Sequence, residues 1–329
     1  MKILNIGSLN IDRVYRVERF VRPGETIKAR SYAESYGGKG LNQSVSLARA
    51  GADVWHVGAV GDDGQALVSL LKGAGADCRF VECVGGPTGH AVIQVDDTGQ
   101  NDIIICGGSN DELSRELIDR ALAEVGAGDA VLLQNETSNV GYAMRVAKER
   151  GAVVIFNPSP INESALALDL DLVDLFIVNE HEASALTGVN VNEGAFSLIE
   201  ALRSRFDGAR IVLTLGSAGS CYADCECTVR CDAVCVETVD TTGAGDTFCG
   251  YFLASLMHGA EVAESLARAS AASALSVMRE GAAQSIPAVE EVMEFLENEE
   301  APMTRQLGEG EGADSEGGTG RLTKKRTAR

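Results

Sequence analysis

The sequence DTTGAGD at residues 240–246 is the strongest candidate for chemistry in this chain. It follows residues 234–239, VCVETV, which we predict as a strand, and it precedes a run with a helical pattern. Small residues at the start of a helix let backbone N–H groups converge on one point, where the helix dipole also favours negative charge. We therefore predict an anion site in the loop Gly243–Gly245, with the carboxylate of Asp246 at its rim. A capping turn without function is the alternative.

The same letters, GAGD, occur at residues 126–129 and serve as an internal comparison. That copy follows a predicted helix and precedes the strand predicted over residues 130–134. A glycine-rich segment in that order ends a helix instead of opening one, so it offers no converging N–H groups. Only the second copy has the order that anion binding requires.

A second glycine cluster, GGKG at residues 37–40, also precedes a helical pattern. It lacks the spacing of a Walker loop, and neither cluster fits the dinucleotide pattern GxGxxG. Rossmann-type cofactor binding is therefore disfavoured. A glycine bend that carries Lys39 suits the close approach of a polyhydroxylated ligand, although a plain loop-to-helix turn forms equally well.

Polar side chains follow two of the predicted strands. Asn10 and Asp12 come after the first strand, and Glu136 comes after the strand at residues 130–134. Open α/β sheets bind ligands beyond the carboxyl ends of their strands, so these groups are expected to face one crevice. Amide and carboxylate groups there would bind sugar hydroxyls. As an alternative, Asn10 and Asp12 simply form a turn.

Two further segments also follow predicted strands. Asn179 is placed to cap a helix, and Glu180 and Glu182 beside it could order water around Mg²⁺. The small residues of Thr214–Gly219 would let a planar ring or a phosphate approach, although an ordinary turn has the same composition.

Composition excludes several classes of protein. The 329 residues are 45% hydrophobic, which disfavours disorder for most of the chain. The formal charge of -20 disfavours broad binding to nucleic acid or to an anionic membrane. No apolar run is long enough to span a bilayer. Nine cysteines are an odd number that predicts reduced thiols and a cytoplasmic location, and residues 221–235 lack the CxxC pairs of a zinc site.

The order of patterns predicts the fold. Short apolar runs alternate with amphipathic stretches of helical length, which indicates an α/β protein with a mainly parallel sheet between helices. Residues 12–35 and 88–106 interrupt this order with short strand-like pieces, and we predict that they form a small inserted β-sheet. We assign residues 1–300 to one domain and predict a disordered tail over residues 301–329, where few apolar residues occur.

Taken together, four motifs resemble signatures of the ribokinase (PfkB) family of carbohydrate kinases. They are GSLNID at 7–12, GGKGLNQ at 37–43, NEHE at 179–182 and DTTGAGD at 240–246, in the order of that family. The resemblance covers residues 3 to about 298. It implies that the small sheet is a lid over the sugar and commonly the contact of a homodimer.

The resemblance also implies roles for individual positions. The catalytic positions would be Asp246 as base and Gly243, Ala244 and Gly245 as anion hole. The sugar-binding positions would be Asn10, Asp12, Gly38, Lys39, Gly40, Asn42, Glu136 and Asp246. The nucleotide-binding positions would be Asn179, Thr214, Leu215, Gly216, Ser217, Ala218, Gly219, Gly245 and Ser270. A monovalent cation, usually K⁺, would lie at Asp240, Thr242, Ser276, Arg279, Gly281 and Ser285, and Glu182 would hold Mg²⁺ through water.

The implied activity is ATP-dependent phosphorylation of a primary hydroxyl of a small sugar, with D-ribose as the expected acceptor and D-ribose 5-phosphate as the product. Deoxyribose, fructose or a nucleoside are alternatives, because single hydroxyls are distinguished by pocket geometry. Ser270 stands where this family often has Asn near adenine. A catalytically silent sugar or nucleotide sensor and nucleic-acid binding through the basic tail are further alternatives, and neither nucleic acid nor a membrane is expected as a partner.

Overall fold

Strands that are buried on both faces form the centre of the molecule. The structure is a computed structural model that describes residues 1–298 and 301–307. In the first strand, Ile3 packs into the core on one side of the sheet, and Leu4 and Ile6 pack into the core on the other. This alternation follows from the two-residue period of a strand. The strands of the described residues are β1 (Lys2–Ile6), β2 (Asn10–Arg16), β3 (Ser31–Gly37), β4 (Asp53–Val60), β5 (Asp77–Cys83), β6 (Gly89–Val95), β7 (Asn101–Cys106), β8 (Ala130–Gln134), β9 (Val153–Asn157), β10 (Leu175–Asn179), β11 (Arg210–Thr214), β12 (Ser220–Ala223), β13 (Thr228–Cys231) and β14 (Thr304–Leu307).

Helices cover both faces of the large sheet. They are α1 (Lys39–Arg49), α2 (Gln65–Ala74), α3 (Arg115–Leu122), α4 (Val140–Glu149), α5 (Glu163–Leu166), α6 (Glu180–Thr187), α7 (Gly194–Arg205), α8 (Ala244–Met257), α9 (Val262–Val277) and α10 (Val289–Asn298). Apolar side chains of α1, α2, α8, α9 and α10 fill one core, and those of α3, α4, α6 and α7 fill the other. None of these helices is long and apolar enough to cross a membrane.

The large sheet has ten strands in the order β14-β13-β12-β11-β10-β9-β8-β1-β4-β5. All neighbours from β5 to β11 are parallel, and β11 to β14 pair antiparallel. The predicted mainly parallel sheet between helices is therefore confirmed.

The small sheet has the order β3-β2-β6-β7. It confirms the inserted sheet predicted over residues 12–35 and 88–106, but it begins earlier. Asn10 pairs with Gly37 on one side and with Gly89 on the other, so β2 starts at Asn10. The alternative that Asn10 and Asp12 simply form a turn is therefore wrong, because their backbones are paired in this sheet.

The predicted strand over residues 234–239 is also wrong. As the structure describes it, this segment is irregular, since β13 before it already has partners on both edges, β12 and β14. The amides of Val239 and Asp240 instead bond to the carbonyl of Val277 at the end of α9. Residues 234–239 therefore lie outside the sheet, and hydrogen bonds to the end of α9 hold the end of this segment.

The predicted disordered tail over residues 301–329 is wrong for its first part. Thr304–Leu307 forms β14, which pairs antiparallel with β13 and covers an edge that would otherwise expose unpaired backbone groups. Composition cannot reveal such a strand, because backbone pairing needs few apolar side chains. The remainder of the predicted tail, residues 308–329, lies outside the described residues.

Helix α1 lies in close contact with both β1 and α8. A Cβ on Gly7 would lie 2.6 Å from the Cα of Gly40, and a Cβ on Gly250 would overlap Ser46. Ser46 uses the space beside Gly250 to donate a hydrogen bond of 2.8 Å to the carbonyl of Thr247. Glycine is therefore required at these two contacts, because there is no room for a Cβ atom.

We expect Gly250→Ala to lower the free energy of unfolding by about 1–3 kcal/mol, because the added methyl overpacks the contact between α1 and α8. Gly73→Ala in α2 is the matched control, since no atom beyond its chain neighbours and the adjacent backbone of its own helix lies within 4 Å of the position of its Cβ. We expect that control to be neutral or to stabilise the protein by up to about 1 kcal/mol through helix propensity. Urea unfolding followed by circular dichroism measures both, and equal effects of the two variants would contradict the proposed packing.

Candidate active site

The loop before α8 opens into a polar cavity. Gly243 has φ 75°, a left-handed conformation suited to glycine, and α8 begins at the next residue. The cavity has a volume of about 250 Å³ and includes Thr241, Gly243, Ala244, Gly245 and Asp246 in its wall. The other GAGD copy, at residues 126–129, connects α3 to β8, as predicted for a helix end.

Asp246 is buried, with 7% of its surface exposed, and neighbouring amides hold its carboxylate. The side chain of Asn42 donates to Oδ2 at 2.9 Å, and that of Gln43 donates to Oδ1 at 2.8 Å. Both donors lie near the start of α1, so the contact between α1 and α8 brings them to the carboxylate. Each oxygen of Asp246 thus already accepts one hydrogen bond from the protein.

Lys39 places a positive charge among carboxylates at the same cavity. Burial alone would lower the pKa of its ammonium group, but the nearby carboxylates of Asp246, Glu136 and Glu182 raise it. The side chain therefore remains charged at neutral pH and offsets part of the negative charge of this site.

Glu136 connects β8 with the start of α1. Its Oε2 accepts a hydrogen bond of 2.9 Å from the amide of Lys39 and another from the hydroxyl of Ser8. Burial raises the pKa of this carboxyl, although these donors and the Lys39 charge oppose the effect. Burial and the charge of Glu136 together raise the pKa of Asp12 to about 6.

Asn10 is oriented by a buried residue that we did not predict. The side chain of Asn110 donates to Oδ1 of Asn10 at 2.8 Å and also accepts from the amide of Leu9 at 3.0 Å. Asn110 lies where the chain leaves β7 for the large sheet, and Leu9 and Asn10 lie where it leaves β1 for the small sheet. These hydrogen bonds therefore join the two connections between the sheets. Its amide fixes Oδ1 of Asn10 and leaves the Asn10 amide nitrogen as the hydrogen-bond donor for a ligand.

The predicted sugar-binding positions form one connected group. The side chain of Asn42 donates a hydrogen bond to Asp246, and the backbone amide of Lys39 donates one to Glu136. The charge of Glu136 also contributes to the raised pKa of Asp12. Gly38 has φ 92° and lies beside Ser8 and Asn10. Gly40 packs directly against the backbone of Gly7 and Ser8, just after β1, so close packing explains why this position is glycine.

A larger and more apolar cavity, of about 650 Å³, adjoins the first. Thr241, Ala244 and Gly245 line both cavities. Most of the predicted nucleotide positions line the larger one: Asn179, Thr214, Gly216, Ser217, Gly219, Gly245 and Ser270. Leu215 instead packs in the core, and the carbonyl of Ala218 accepts a hydrogen bond from Arg230 at 3.1 Å.

Sequence reasoning missed one wall of the larger cavity. Residues 233–236 and Thr238 line it, together with Phe248. These residues were predicted as a strand or left unassigned, and the irregular path of residues 234–239 exposes them to the cavity. Ser270 donates a hydrogen bond of 3.3 Å to the carbonyl of Asp232 at the base of this wall.

Asn179 has a structural role and also lines both cavities. Its side chain accepts from the amide of Glu182 at 2.9 Å, and the Glu182 carboxylate accepts from the amide of Asn179 at 2.9 Å. This reciprocal pair caps α6, as predicted for Asn179, and it holds the buried Glu182 beside Lys39 and the 243–246 loop. In the described residues, no cluster of three or more acidic, His or Cys side chains could chelate a metal by itself.

The predicted cation positions lie on the loop before α8 and on the end of α9 with the loop that follows it. Asp240 accepts hydrogen bonds from Thr242 at 2.9 Å and from the amide of Gly281 at 3.0 Å. Burial alone would raise the pKa of Asp240, but these hydrogen bonds lower it. The hydroxyls of Ser276 and Ser285 bond to nearby carbonyls, and Arg279 pairs with Glu291 at 2.5 Å.

Asp12→Asn should stabilise the free protein in a pH-dependent way. The pKa of Asp12 in the folded protein, about 6, lies above the ordinary 3.8. Ionising Asp12 therefore lowers the free energy of unfolding, and this loss is complete once the pH has risen through 6. We expect the variant to gain up to about 3 kcal/mol at pH 8 and about half as much at pH 5. Urea unfolding at both values measures this, with Asp207→Asn at an exposed site as control. A gain that does not change with pH would contradict the assignment.

Comparison with known proteins identifies the family. Residues 1–289 match the pfkB family carbohydrate kinase model. The chain is 36% identical over 299 residues to a ribokinase of Haemophilus influenzae, covering 89% of this chain and 97% of that protein. It is 32% identical over 307 residues to a deoxyribokinase of Salmonella typhi, covering 90% and 99%.

A solved structure of a relative shows the same fold. The structure of Arabidopsis thaliana ribokinase complexed with ribose and ATP aligns with a TM-score of 0.80 and 31% identity, covering 91% of this chain and 99% of that chain. By these matches, the chain belongs to the pfkB family of carbohydrate kinases and is an ATP-dependent sugar kinase.

Proposed function

We propose that this kinase transfers the γ-phosphoryl group of ATP to the primary hydroxyl of D-ribose and releases D-ribose 5-phosphate and ADP. The observation that carries the proposal is the shared wall of the two cavities. The apolar cavity suits a nucleotide, and the polar site around Lys39 and Glu136 suits a sugar. The 243–246 loop lies between them, where the phosphoryl group would pass.

Asp246 is the proposed catalytic base. It accepts the proton of the sugar hydroxyl as that oxygen bonds to the γ-phosphorus and the bond from phosphorus to the β,γ-bridging oxygen breaks. Hydrogen bonds from Asn42 and Gln43 hold its carboxylate in place for this transfer. Positioning of this kind accounts for much of the rate in phosphoryl transfer.

The proposed anion hole is the first turn of α8. Gly243, Ala244 and Gly245 carry no bulky side chain, so a phosphate can approach their backbone amides and the positive end of the helix dipole. The charge of Lys39 lies at the same cavity and would oppose the negative charge of the phosphates.

Two ions fit residues of this site. Glu182 is buried, lines the smaller cavity and would hold Mg²⁺ through water, which suits an ion that is usually bound by few carboxylates and by substrate phosphates. Bound Mg²⁺ would neutralise phosphate charge. The loops joined by Asp240 and Gly281 would hold K⁺, mainly through carbonyl oxygens, and so set the shape of the anion hole.

The sugar side of the site offers both donors and acceptors. Asp12 and Glu136 accept hydrogen bonds, and the oriented amide of Asn10 and the ammonium of Lys39 donate them. Such a set suits a polyhydroxylated ring. D-ribose is the first candidate because relatives named ribokinase match over most of the chain, and the relative named deoxyribokinase keeps 2-deoxyribose as the second.

We also propose that the small sheet mediates a homodimer. The edge strand β7 exposes Ile103, Ile104 and Ile105 with 52%, 66% and 64% of their surfaces accessible. Three neighbouring apolar side chains on a strand edge favour a partner surface. All nine cysteines are free thiols, which fits the proposed cytoplasmic location.

The activity is tested by ADP release from Mg²⁺-ATP with D-ribose, 2-deoxyribose, fructose or nucleosides, each in K⁺ and in Na⁺. We expect turnover with D-ribose and stimulation by K⁺. Asp246→Asn should lower kcat by about 10²–10⁴-fold while sugar binding persists, because the variant cannot accept the proton. Turnover with another acceptor alone would replace the substrate, and no turnover despite sugar binding would favour a sensor. Unchanged turnover of Asp246→Asn would remove its assignment as base.

A further inference from the structure

A chain of buried amides leads from the centre of the large sheet to Asp246. Asn5 in β1 and Gln134 in β8 are polar side chains inside an otherwise apolar sheet, with 0% and 1% of their surfaces exposed. Gln134 donates to Asn5 at 2.9 Å and to Oε1 of Gln43 at 2.7 Å. Gln43 in turn donates to Asp246.

These contacts allow only one orientation of the Gln43 amide. Its oxygen accepts from Gln134, and its nitrogen donates to Asp246 at 2.8 Å and to Asn157 at 3.0 Å. A flipped amide would bring oxygen against the Asp246 carboxylate and nitrogen against a donor. Burying such a network costs free energy unless each group is satisfied, which favours a role that requires its geometry.

We propose that Gln43 is a positioning residue for phosphoryl transfer, and that Gln134 and Asn5 keep its amide turned toward Asp246. This inference rests on the proposed function, with Asp246 as the base. Gln43 acts through Asp246 and not on the sugar. Its loss should therefore slow turnover and leave sugar and ATP binding nearly unchanged.

Gln43→Met tests this, because methionine keeps the length and volume of the side chain and removes both polar groups. We expect kcat to fall at least tenfold, with KM for sugar and for ATP within twofold of the original. Gln43→Glu should lose more, because it brings a second carboxylate to Asp246. Ser46→Ala is the matched control in the same helix, where we expect lower stability but the kcat of the original chain.

A Gln43→Met variant with unchanged kcat would overturn the inference, and so would a loss confined to KM. A crystal structure of the variant gives a test that does not depend on turnover. We expect the Asp246 carboxylate to rotate while α1 and α8 keep their places. An Asp246 carboxylate that does not move would overturn the inference, whether or not the original chain is active. Absence of turnover with every sugar would instead contradict the proposed function.

A second and independent observation concerns β14, which lies beyond the match to the family at residues 1–289. The strand pairs with all of β13, and the carbonyl of Met303 accepts a hydrogen bond of 3.0 Å from the amide of Asp232. Asp232 is the first residue after β13. It therefore begins the irregular segment that lines the larger cavity.

Asp232 also connects two other walls of that cavity. Its carbonyl accepts the hydrogen bond from Ser270 in α9, and its carboxylate lies 3.6 Å from Arg230. Arg230 reaches the carbonyl of Ala218 in the turn after β11, and Gly219 of that turn packs against Cys231 and Asp232. The end of β13, α9, the turn after β11 and the segment before β14 thus meet at Asp232, whose amide is bonded to Met303.

We propose that β14 positions the nucleotide-binding wall of this enzyme through Asp232. This inference also rests on the proposed function, because it takes the larger cavity as the nucleotide site. A chain without β14 should keep its sugar site, which is formed by β2, the start of α1, the loop after β8 and the first turn of α8. It should bind nucleotide more weakly.

Two truncated chains separate β14 from the rest of the C-terminal segment. One ends at Asn298 and lacks β14, and its matched control ends at Leu307 and keeps it. Calorimetry with Mg²⁺-ADP should show at least a fivefold rise in Kd for the shorter chain and none for the control, with D-ribose binding equal in both. Equal ADP affinity of the two chains would overturn the inference.

Arg305→Pro in the full chain is the second variant, because it weakens the strand without shortening the protein. We expect it to raise the Kd for ADP in the same direction, and an unchanged Kd would overturn the inference even if the shorter chain fails to fold. A full chain that binds no ADP would overturn both this inference and the proposed function.

Discussion

The close contact of helix α1 with both β1 and α8 is the packing on which the candidate site depends. Side chains at Gly7, Gly40 or Gly250 would occupy space that backbone or buried polar groups already fill. Through this contact, Lys39 reaches the cavity, and Asn42 and Gln43 reach Asp246. A helix displaced by the width of one methyl group would separate donors from acceptors that now lie about 2.8–2.9 Å apart.

Burial of charge is the second constraint on this site. Three carboxylates influence Lys39, and Asp12 lies near one of them. These groups are largely buried, so each charge interacts more strongly with its neighbours than it would at the surface. The site thus costs stability in the free protein, and a polyhydroxylated ligand would satisfy groups that the protein leaves partly unpaired.

The predictions from sequence succeeded where the signal was local. The alternation of apolar strands with helices predicted the sheet, and glycine before a helical pattern located the loop before α8. Asn179 caps its helix as its position predicted. The failures lie at residues 234–239 and at β14, because pairing partners decide whether a short segment becomes a strand. Residues 234–239 pair with no strand, whereas β14 pairs along the edge of β13 that β12 leaves open.

The sequence by itself determined the order of the motifs, the fold class and the side chains available for chemistry, because these depend on residue type and on short-range periodicity. Only the tertiary structure decided which side chains meet. Gln43 and Asp246 are 203 positions apart, and Asn5 and Gln134 are 129 apart, yet they form one hydrogen-bonded chain. Parallel strands and their crossover helices bring such distant residues together, and no local pattern records which amide will face which carboxylate.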